Sequence, residues 1–316
     1  MFKNKKCLVT GGTGLIGRKV CDLLVEEGAH VASVSLDNLK PNKNVAYLKW
    51  DLTSLALAQD VTKGMDYVFH LAGVKGSITA TAYRPASMFV KPLMMNLNVL
   101  EACRVNKVEH VVFVSTVGAY DKNLPLEESQ ALQGVPMDFY PGWAKRMGEL
   151  QLQSYSTEYG FKNYTIIRPT SCYGEGDNFN IKTGMFIPAL MARVMSGEHP
   201  LYIEGDGSAV RDFAYSGDIA KGILQMASVE GNLFNLGGNA HLTIMDVVMA
   251  LKKVVPFEHH FGMGGYSHRT IDDKLARSNG YNPSTTIEQG IKRTWEWFCE
   301  HQDEYLKKMD YLRSQI

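Results

Sequence analysis

Thr10-Gly11-Gly12-Thr13-Gly14-Leu15-Ile16-Gly17 follows directly on the apolar run Cys7-Leu8-Val9, and residues 18–27 continue as an amphipathic stretch closed by Gly28. A strand that must stop, turn and open a helix within so few residues needs glycine wherever a side chain would intrude. The early glycines free the turn and let backbone approach a pyrophosphate, and Gly17 lets the new helix lie close to the strand. The unpaired N–H groups of the first helical turn, at the positive end of the helix dipole, then suit phosphate oxygens. This is the chemistry of holding a dinucleotide. The order strand, glycine turn, helix separates it from an ordinary turn. The five cysteines, Cys7, Cys21, Cys103, Cys172 and Cys299, lack metal-ligand spacing and read as reduced, mostly buried residues.

The elements that must position this loop alternate along the first half of the chain. β-Branched runs at 31–35, 66–71, 111–115 and 164–168 are separated by helical patterns at 18–27, near 93–106 and at 145–159. The pattern predicts an α/β fold: a Rossmann-type, doubly wound parallel sheet with right-handed crossovers and both faces covered. After Arg168-Pro169 the alternation loosens and glycine and proline punctuate 174–200. The expected division is a dinucleotide-binding domain over 1–168, to which later segments return, and a smaller C-terminal substrate-binding lobe over 169–316. A last helix near 286–309 carries Ile287, Ile291, Trp295 and Phe298 at helical spacing, a docking face. With 316 residues and a formal net charge of zero, the chain has no basic field to attract nucleic acid or membrane. Its apolar runs are too short to span a bilayer, and the lysine-rich start reads as no signal peptide, so a cytoplasmic protein is expected.

Further motifs extend the pattern: His70-Leu71-Ala72-Gly73, Val114-Ser115-Thr116 followed by Tyr120, Arg168-Pro169 with Tyr173-Gly174, Gly205-Asp206-Gly207 with Arg211-Asp212-Phe213, Asp218, and Gly280-Tyr281-Asn282-Pro283. With these, nearly the whole chain resembles the extended short-chain dehydrogenase/reductases that act on nucleotide sugars, the epimerase/dehydratase group. Val74-Lys75-Gly76, Asp177-Asn178-Phe179 and Ile187-Pro188-Ala189-Leu190 are most similar to GDP-fucose synthase-like members. The resemblance implies hydride transfer between a sugar carbon and a nicotinamide. A tyrosine serves as acid/base, a lysine lowers its pKa and grips the nicotinamide ribose, and a hydroxyl residue holds the reacting oxygen. By position these are Tyr140, Lys145 and Thr116.

The family spaces tyrosine and lysine four apart, whereas Tyr140 precedes Lys145 by five, with Pro141 in the expected place. One extra residue rotates a helical side chain by about 100°. Either a local widening of the helix around Pro141-Gly142 returns Tyr140 to the site, the expectation favoured by the retention of Thr116 and Lys145, or the tyrosine is displaced and the chain is a cofactor-binding, regulatory relative. The dehydratases place an Asp-Glu pair where this chain has Val117 and Gly118, and fucose synthase places a cysteine and a histidine where it has Gly118 and Met185. What remains is hydride chemistry at one carbon, C4, as a 4-epimerase or a net oxidoreductase in deoxysugar or heptose biosynthesis.

The resemblance further assigns cofactor contacts to Gly11, Thr13, Gly14, Leu15, Ile16, Gly17, Asp51, Leu52, Leu71, Ala72, Gly73, Tyr140, Lys145 and Pro169. An acid ending the second strand would bind the adenosine ribose. Counting from Thr10 puts Ser35 there, with Asp37 two residues on and Lys40 within reach of a 2′-phosphate. NAD and NADP both stay open, with a slight tilt to NADP. For the substrate, a GDP-sugar, the implied contacts are Lys75, Thr116, Asn178, Met185, Arg211 and Arg269. Arg211 clamps the diphosphate with Arg269 as a second clamp, and Asn178 serves either sugar hydroxyls or its own turn. A homodimer through the helices near 93–106 and 145–159 is expected, with no metal.

Overall fold

The computed structural model describes residues 1–74, 76–264 and 267–305. Its central sheet contains β1 (Lys6–Thr10), β2 (His30–Ser35), β3 (Ala46–Lys49), β4 (Tyr67–His70), β5 (His110–Val114) and β6 (Tyr164–Pro169). The chain beyond β6 supplies β7 (Ser171–Tyr173), β8 (Leu201–Ile203) and β9 (Val210–Tyr215), then β10 (Asn232–Leu236), β11 (His241–Thr243), β12 (His259–Phe261) and β13 (His268–Arg269); of these β10 joins the central sheet and the others do not. The helices are α1 (Leu15–Glu26), α2 (Leu55–Thr62), α3 (Ile78–Tyr83), α4 (Pro85–Val105), α5 (Phe139–Tyr159), α6 (Phe186–Met195), α7 (Ser216–Met226), α8 (Ile244–Val254), α9 (Lys274–Ser278) and α10 (Ile287–Glu300).

Seven strands run in the order β10-β6-β5-β4-β1-β2-β3, every neighbouring pair parallel. Successive side chains of a strand point to opposite faces, and here both faces are apolar. Val9, Phe69, Val112 and Ile167 face one way, into a core with Val20 and Leu24 of α1 and Ile219 and Ile223 of α7. Their neighbours Leu8, Val68, Val111 and Ile166 face the other, against Val99 and Leu100 of α4 and Leu152 of α5. The doubly wound sheet is therefore built by the alternation within each strand.

After β6 the chain leaves the sheet and returns twice: α7 covers it beside α1, and β10 pairs with β6 from Asn232↔Thr165 to Leu236↔Pro169. The remainder forms a smaller lobe in which β9 is bordered by β7, β11 and β13, while β8 pairs with β12. Its core joins Leu190 and Met191 of α6, Val247 and Leu251 of α8, and Ile287, Ile291 and Phe298 of α10. The docking face expected for the last helix is thus used, with Trp295 partly buried beside it. No helix among the described residues is long and apolar enough to cross a membrane.

Candidate functional site

The loop between β1 and α1 has the conformation its glycines permit. Gly11 sits at φ 74°, and a Cβ there would stand 3.0 Å from the Cα of Ala72, so the loop after β4 lies against the loop after β1. A Cβ on Gly17 would collide with the Gly11 carbonyl, and one on Gly12 with the Ser33 hydroxyl. Gly14 caps α1 without a side chain. The first-turn amides of Leu15, Ile16 and Gly17 precede the first intrahelical bond, which Arg18 N–H makes to Gly14 O. Arg18 then buttresses the loop from below, donating to Thr13 O at 3.0 Å and to Glu304 at 2.6 Å.

At the end of β2, the Ser35 hydroxyl is buried and has no partner among the described residues. Asp37 turns back to the loop instead, its carboxylate accepting from Thr13 Oγ1 at 2.9 Å. Asp51 accepts from Thr53 N–H at 2.9 Å and so shapes its own turn, Leu52 is buried in the core, and Pro169 is buried at the end of β6. A glycine cradle open to backbone approach and an orphaned hydroxyl beside it fit a dinucleotide.

A chain of hydrogen bonds joins the end of β1 to β4, α4 and α5. Thr10 Oγ1 lies 2.7 Å from His70 Nδ1 and accepts from Ala72 N–H at 3.1 Å. His70 Nε2 lies 3.0 Å from Asn96 Oδ1, and Asn96 Nδ2 donates to Ala144 O at 3.0 Å. Burial, then the nearby Lys145 charge, pushes His70 down to about 3, so it serves as a neutral link. The chain ties the glycine loop through α4 to the residue before Lys145. Asn96 carried no signal in the sequence, because its partners lie 26 and 48 positions away.

Lys145 Nζ donates to Val114 O at 2.7 Å, rides 4.9 Å from the Phe113 ring centroid and stands where a Cβ on Gly73 would be 3.7 Å away. Desolvation pushes its ammonium down to about 8, against an opposing pull from Glu149. Thr116, at the end of β5, accepts from Gly118 N–H at 3.1 Å. Lys145, Gly73 and Val114 are therefore brought together at the carboxyl ends of β4 and β5, and Thr116 follows Val114 by two residues.

Tyr140 is placed differently from the favoured expectation. α5 begins at Phe139, six residues before the sequence pattern suggests, and Gly142 N–H bonds Asp138 O at 2.6 Å, the ordinary α-helical step. Pro141 falls in the first turn, where its missing N–H costs nothing, so no widening is needed and none forms. Tyr140 keeps its five-residue offset from Lys145. It is 39% exposed, its ring lies edge-on to Phe139 with centroids 5.2 Å apart, and its hydroxyl has no hydrogen-bond partner among the described residues.

Of the substrate candidates, Arg211 and Arg269 sit on directly paired positions of β9 and β13. Arg211 donates to Ser267 O at 3.0 Å and Ser267 Oγ at 2.7 Å, and burial followed by the Arg269 charge holds its pKa below the usual value. Asn178 spends its side chain on its own loop, donating to Thr183 Oγ1 at 3.1 Å and accepting from Asn180 N–H at 3.2 Å, which is the turn role. Met185 caps α6 and is half-buried. Lys75 lies outside the described residues.

Several motif residues that could have been read as functional brace the site. Tyr120 is fully buried and donates to Asn235 Oδ1 at 2.8 Å. Arg168, also fully buried, pairs with Glu149, whose Oε1 accepts from Ser115 Oγ at 2.5 Å. Asp212 accepts from Ile271 N–H at 2.6 Å and from His241.

A model of the NAD dependent epimerase/dehydratase family matches residues 7–237. A putative UDP-glucose 4-epimerase of Methanocaldococcus jannaschii is 29% identical over 308 residues, covering 92% of this chain and 97% of its own. A GDP-L-fucose synthase of Azorhizobium caulinodans is 26% identical over 324 residues, covering 96% of this chain and 100% of its own. The solved structure of a UDP-glucose 4-epimerase from Thermotoga maritima, with UDP-glucose, matches with a TM-score of 0.81 at 27% identity, over 94% of this chain and 99% of that one. The glycine cradle, the α5 lysine that reaches the end of β5 and a match running through the returning strand β10 agree: this chain belongs to the NAD-dependent epimerase/dehydratase family.

Proposed function

We propose that this protein moves hydride at a single carbon, C4, of a nucleotide-linked sugar, using a nicotinamide dinucleotide held by Gly11–Gly17, Leu71–Gly73 and Lys145. The observation that carries this reading is Lys145: a desolvated ammonium between Gly73 and the carbonyl of Val114, which precedes Thr116 by two residues. The bound dinucleotide supplies hydride acceptance and donation. Thr116 holds the reacting oxygen, Lys145 grips the ribose, and Tyr140 exchanges the hydroxyl proton. The uncommitted Tyr140 hydroxyl at the head of α5 supports that role, with rotation about its side-chain torsions making up the offset. Arg211 and Arg269, neighbours on two strands, clamp the diphosphate as planar cations suited to it. We assign a GDP-sugar on the likeness of segments 74–76, 177–179 and 187–190 to GDP-fucose synthase-like proteins.

For the dinucleotide we favour NAD, in place of the slight tilt to NADP expected from the residues alone. Asp37 stands against Thr13 in the loop, and a 2′-phosphate on the adenosine ribose would meet that carboxylate. The test offers GDP-, UDP-, dTDP- and CDP-sugars with either dinucleotide while nicotinamide absorbance is followed. A GDP-sugar turned over with NAD at least roughly tenfold better than with NADP is expected, a difference of about 1.4 kcal/mol. Absence of turnover with every pair would favour the second reading, a dinucleotide-binding relative with a displaced tyrosine, for which the unwidened start of α5 speaks.

Two copies of the chain associate, in this proposal, through α4 and α5. Val90, Met94 and Leu97 form an exposed apolar stripe along α4, and Leu150 of α5 is exposed as well. Sedimentation should give a dimer, and Met94→Glu should give a monomer.

A further inference from the structure

The proton-moving pair of the dehydratases is missing at Val117 and Gly118, yet the space a side chain at 118 would use is filled. A Cβ built on Gly118 would collide with Oδ2 of Asp138, and Cγ of that carboxylate would lie only 2.6 Å away. The carboxylate is held there by its own backbone. Asp138 N–H donates to Gly118 O at 3.1 Å and Met137 N–H to Tyr120 O at 2.7 Å. A Cβ on Gly142 would stand 2.6 Å from the Gly118 carbonyl, so the start of α5 is pressed onto the turn that follows Thr116.

Two features set this carboxylate apart from a structural one. It occupies the N-cap of α5, where aspartate ordinarily accepts from the first turn, but makes no cap hydrogen bond. It also has no hydrogen-bond partner among the described residues, although it is accessible to solvent. Enough protein surrounds it to raise its carboxyl above the ordinary value, against the pull of the Arg269 charge. Hydride transfer at C4 uses Thr116, Tyr140 and Lys145, which leaves Asp138 as a proton-transferring group that reaction does not require.

We propose that Asp138 takes and returns a proton at the sugar carbon next to a C4 carbonyl, so that the cleft catalyses carbon–hydrogen exchange on a nucleoside-diphosphate 4-keto sugar. This rests on the reading of the cleft as a nucleotide-sugar site. As the C–H bond breaks, its proton passes to the Asp138 carboxylate. Its electron pair forms the carbon–carbon double bond of an enolate, and the carbonyl π pair moves to the oxygen beside Thr116. Reversal returns the proton from the carboxylic acid, and the sugar's oxidation state is unchanged.

The test supplies a nucleoside-diphosphate 4-keto-6-deoxyhexose in heavy water, without reduced nicotinamide, and follows deuterium entry by mass spectrometry and proton NMR. The wild-type protein should exchange one flanking position at least roughly 100-fold faster than buffer, the scale of a positioned acid/base group. Asp138→Asn, which keeps the size, should fall to near the buffer rate. Gly118→Ala, whose methyl displaces the carboxylate, should fall likewise. Melting curves and dinucleotide binding report whether either variant is folded. Exchange by Asp138→Asn at the wild-type rate overturns the proposal, as does a wild-type protein that binds the keto sugar in calorimetry without exchanging it. Failure to bind the keto sugar at all would instead count against the nucleotide-sugar reading.

Discussion

Lys145→Met is expected to lower turnover by roughly 10²–10⁴-fold, the range a positioned proton-transfer apparatus contributes, while the protein stays folded. Methionine fills much of the space of the lysine stem but removes the charge that stands between Val114 O and Gly73. The two effects should diverge, because burying an ammonium is costly and the site tolerates it for function. Desolvation holds Lys145 at about 8 in the folded protein, below the 10.5 of an unperturbed lysine. Between those values the unfolded chain binds more protons than the folded one. The free protein therefore gains stability from this group as pH rises from about 8, and at lower pH the buried charge works against folding. Lys145→Met should accordingly melt no lower than wild type, and higher at neutral pH. Activity runs the opposite way: the ammonium is present below about 8 and lost above it, so dinucleotide affinity should decline through that region in wild type and stay flat in the variant. Tyr140→Phe should match the loss of turnover and leave dinucleotide binding intact. If instead it turns over normally, the hydroxyl proton passes through another group, and the carboxylate over Gly118 is the next to replace.

How much of this could be read from the sequence follows from where each constraint sits. The glycine loop was legible because its requirement is local: Gly11 needs φ 74° and Gly17 lies against the Gly11 carbonyl six residues earlier. Most of the sheet was legible because β2, β4, β5 and β6 each carry their own run, and 111–115 and 164–168 fall within a residue of β5 and β6. β3 was not seen as a strand: Ala46–Lys49 sits at the sheet edge, where only a partial apolar pattern is needed. α5 was read six residues short because its apolar pattern is weak before Lys145, although the first helical turn accepts Pro141 without loss. Asp138 was invisible as a site residue, since its meaning depends on a glycine 20 positions earlier that becomes its neighbour only when α5 packs on the turn after β5. The same holds for Asn96, whose side chain joins His70 to the backbone of α5. Constraints satisfied within a turn are written in the sequence; those satisfied by three elements meeting are not.

The second large effect should come from the brace behind the site. Glu149 and Arg168 are both fully buried, with Arg168 Nε at 2.9 Å and Nη2 at 2.5 Å from the two carboxylate oxygens. Ser115 adds a third donor to Glu149, and the guanidinium lies 4.1 Å from the Tyr120 ring centroid. Glu149→Gln leaves a buried guanidinium without its counter-charge, and a loss of about 3–5 kcal/mol in unfolding free energy is expected from denaturant titration. Arg168→Met strands the opposite charge and should cost a similar amount. The double change Glu149→Leu with Arg168→Met removes both charges and should recover most of the loss, because the attraction of a buried pair largely offsets its own desolvation. If the double variant is instead as unstable as the two single losses added together, the pair is not coupled and Arg168 acts through its bond to Ala131 O alone. The brace also reaches the chemistry. Glu149 lies one helical turn after Lys145, and its charge is the one opposing the desolvation that pulls the ammonium down. In Glu149→Gln that opposition is gone, so Lys145 should lose its proton below about 8 and the fall in dinucleotide affinity should shift to lower pH. A buried ion pair one turn along the same face of α5 is thus expected to set the pH at which Lys145 is charged.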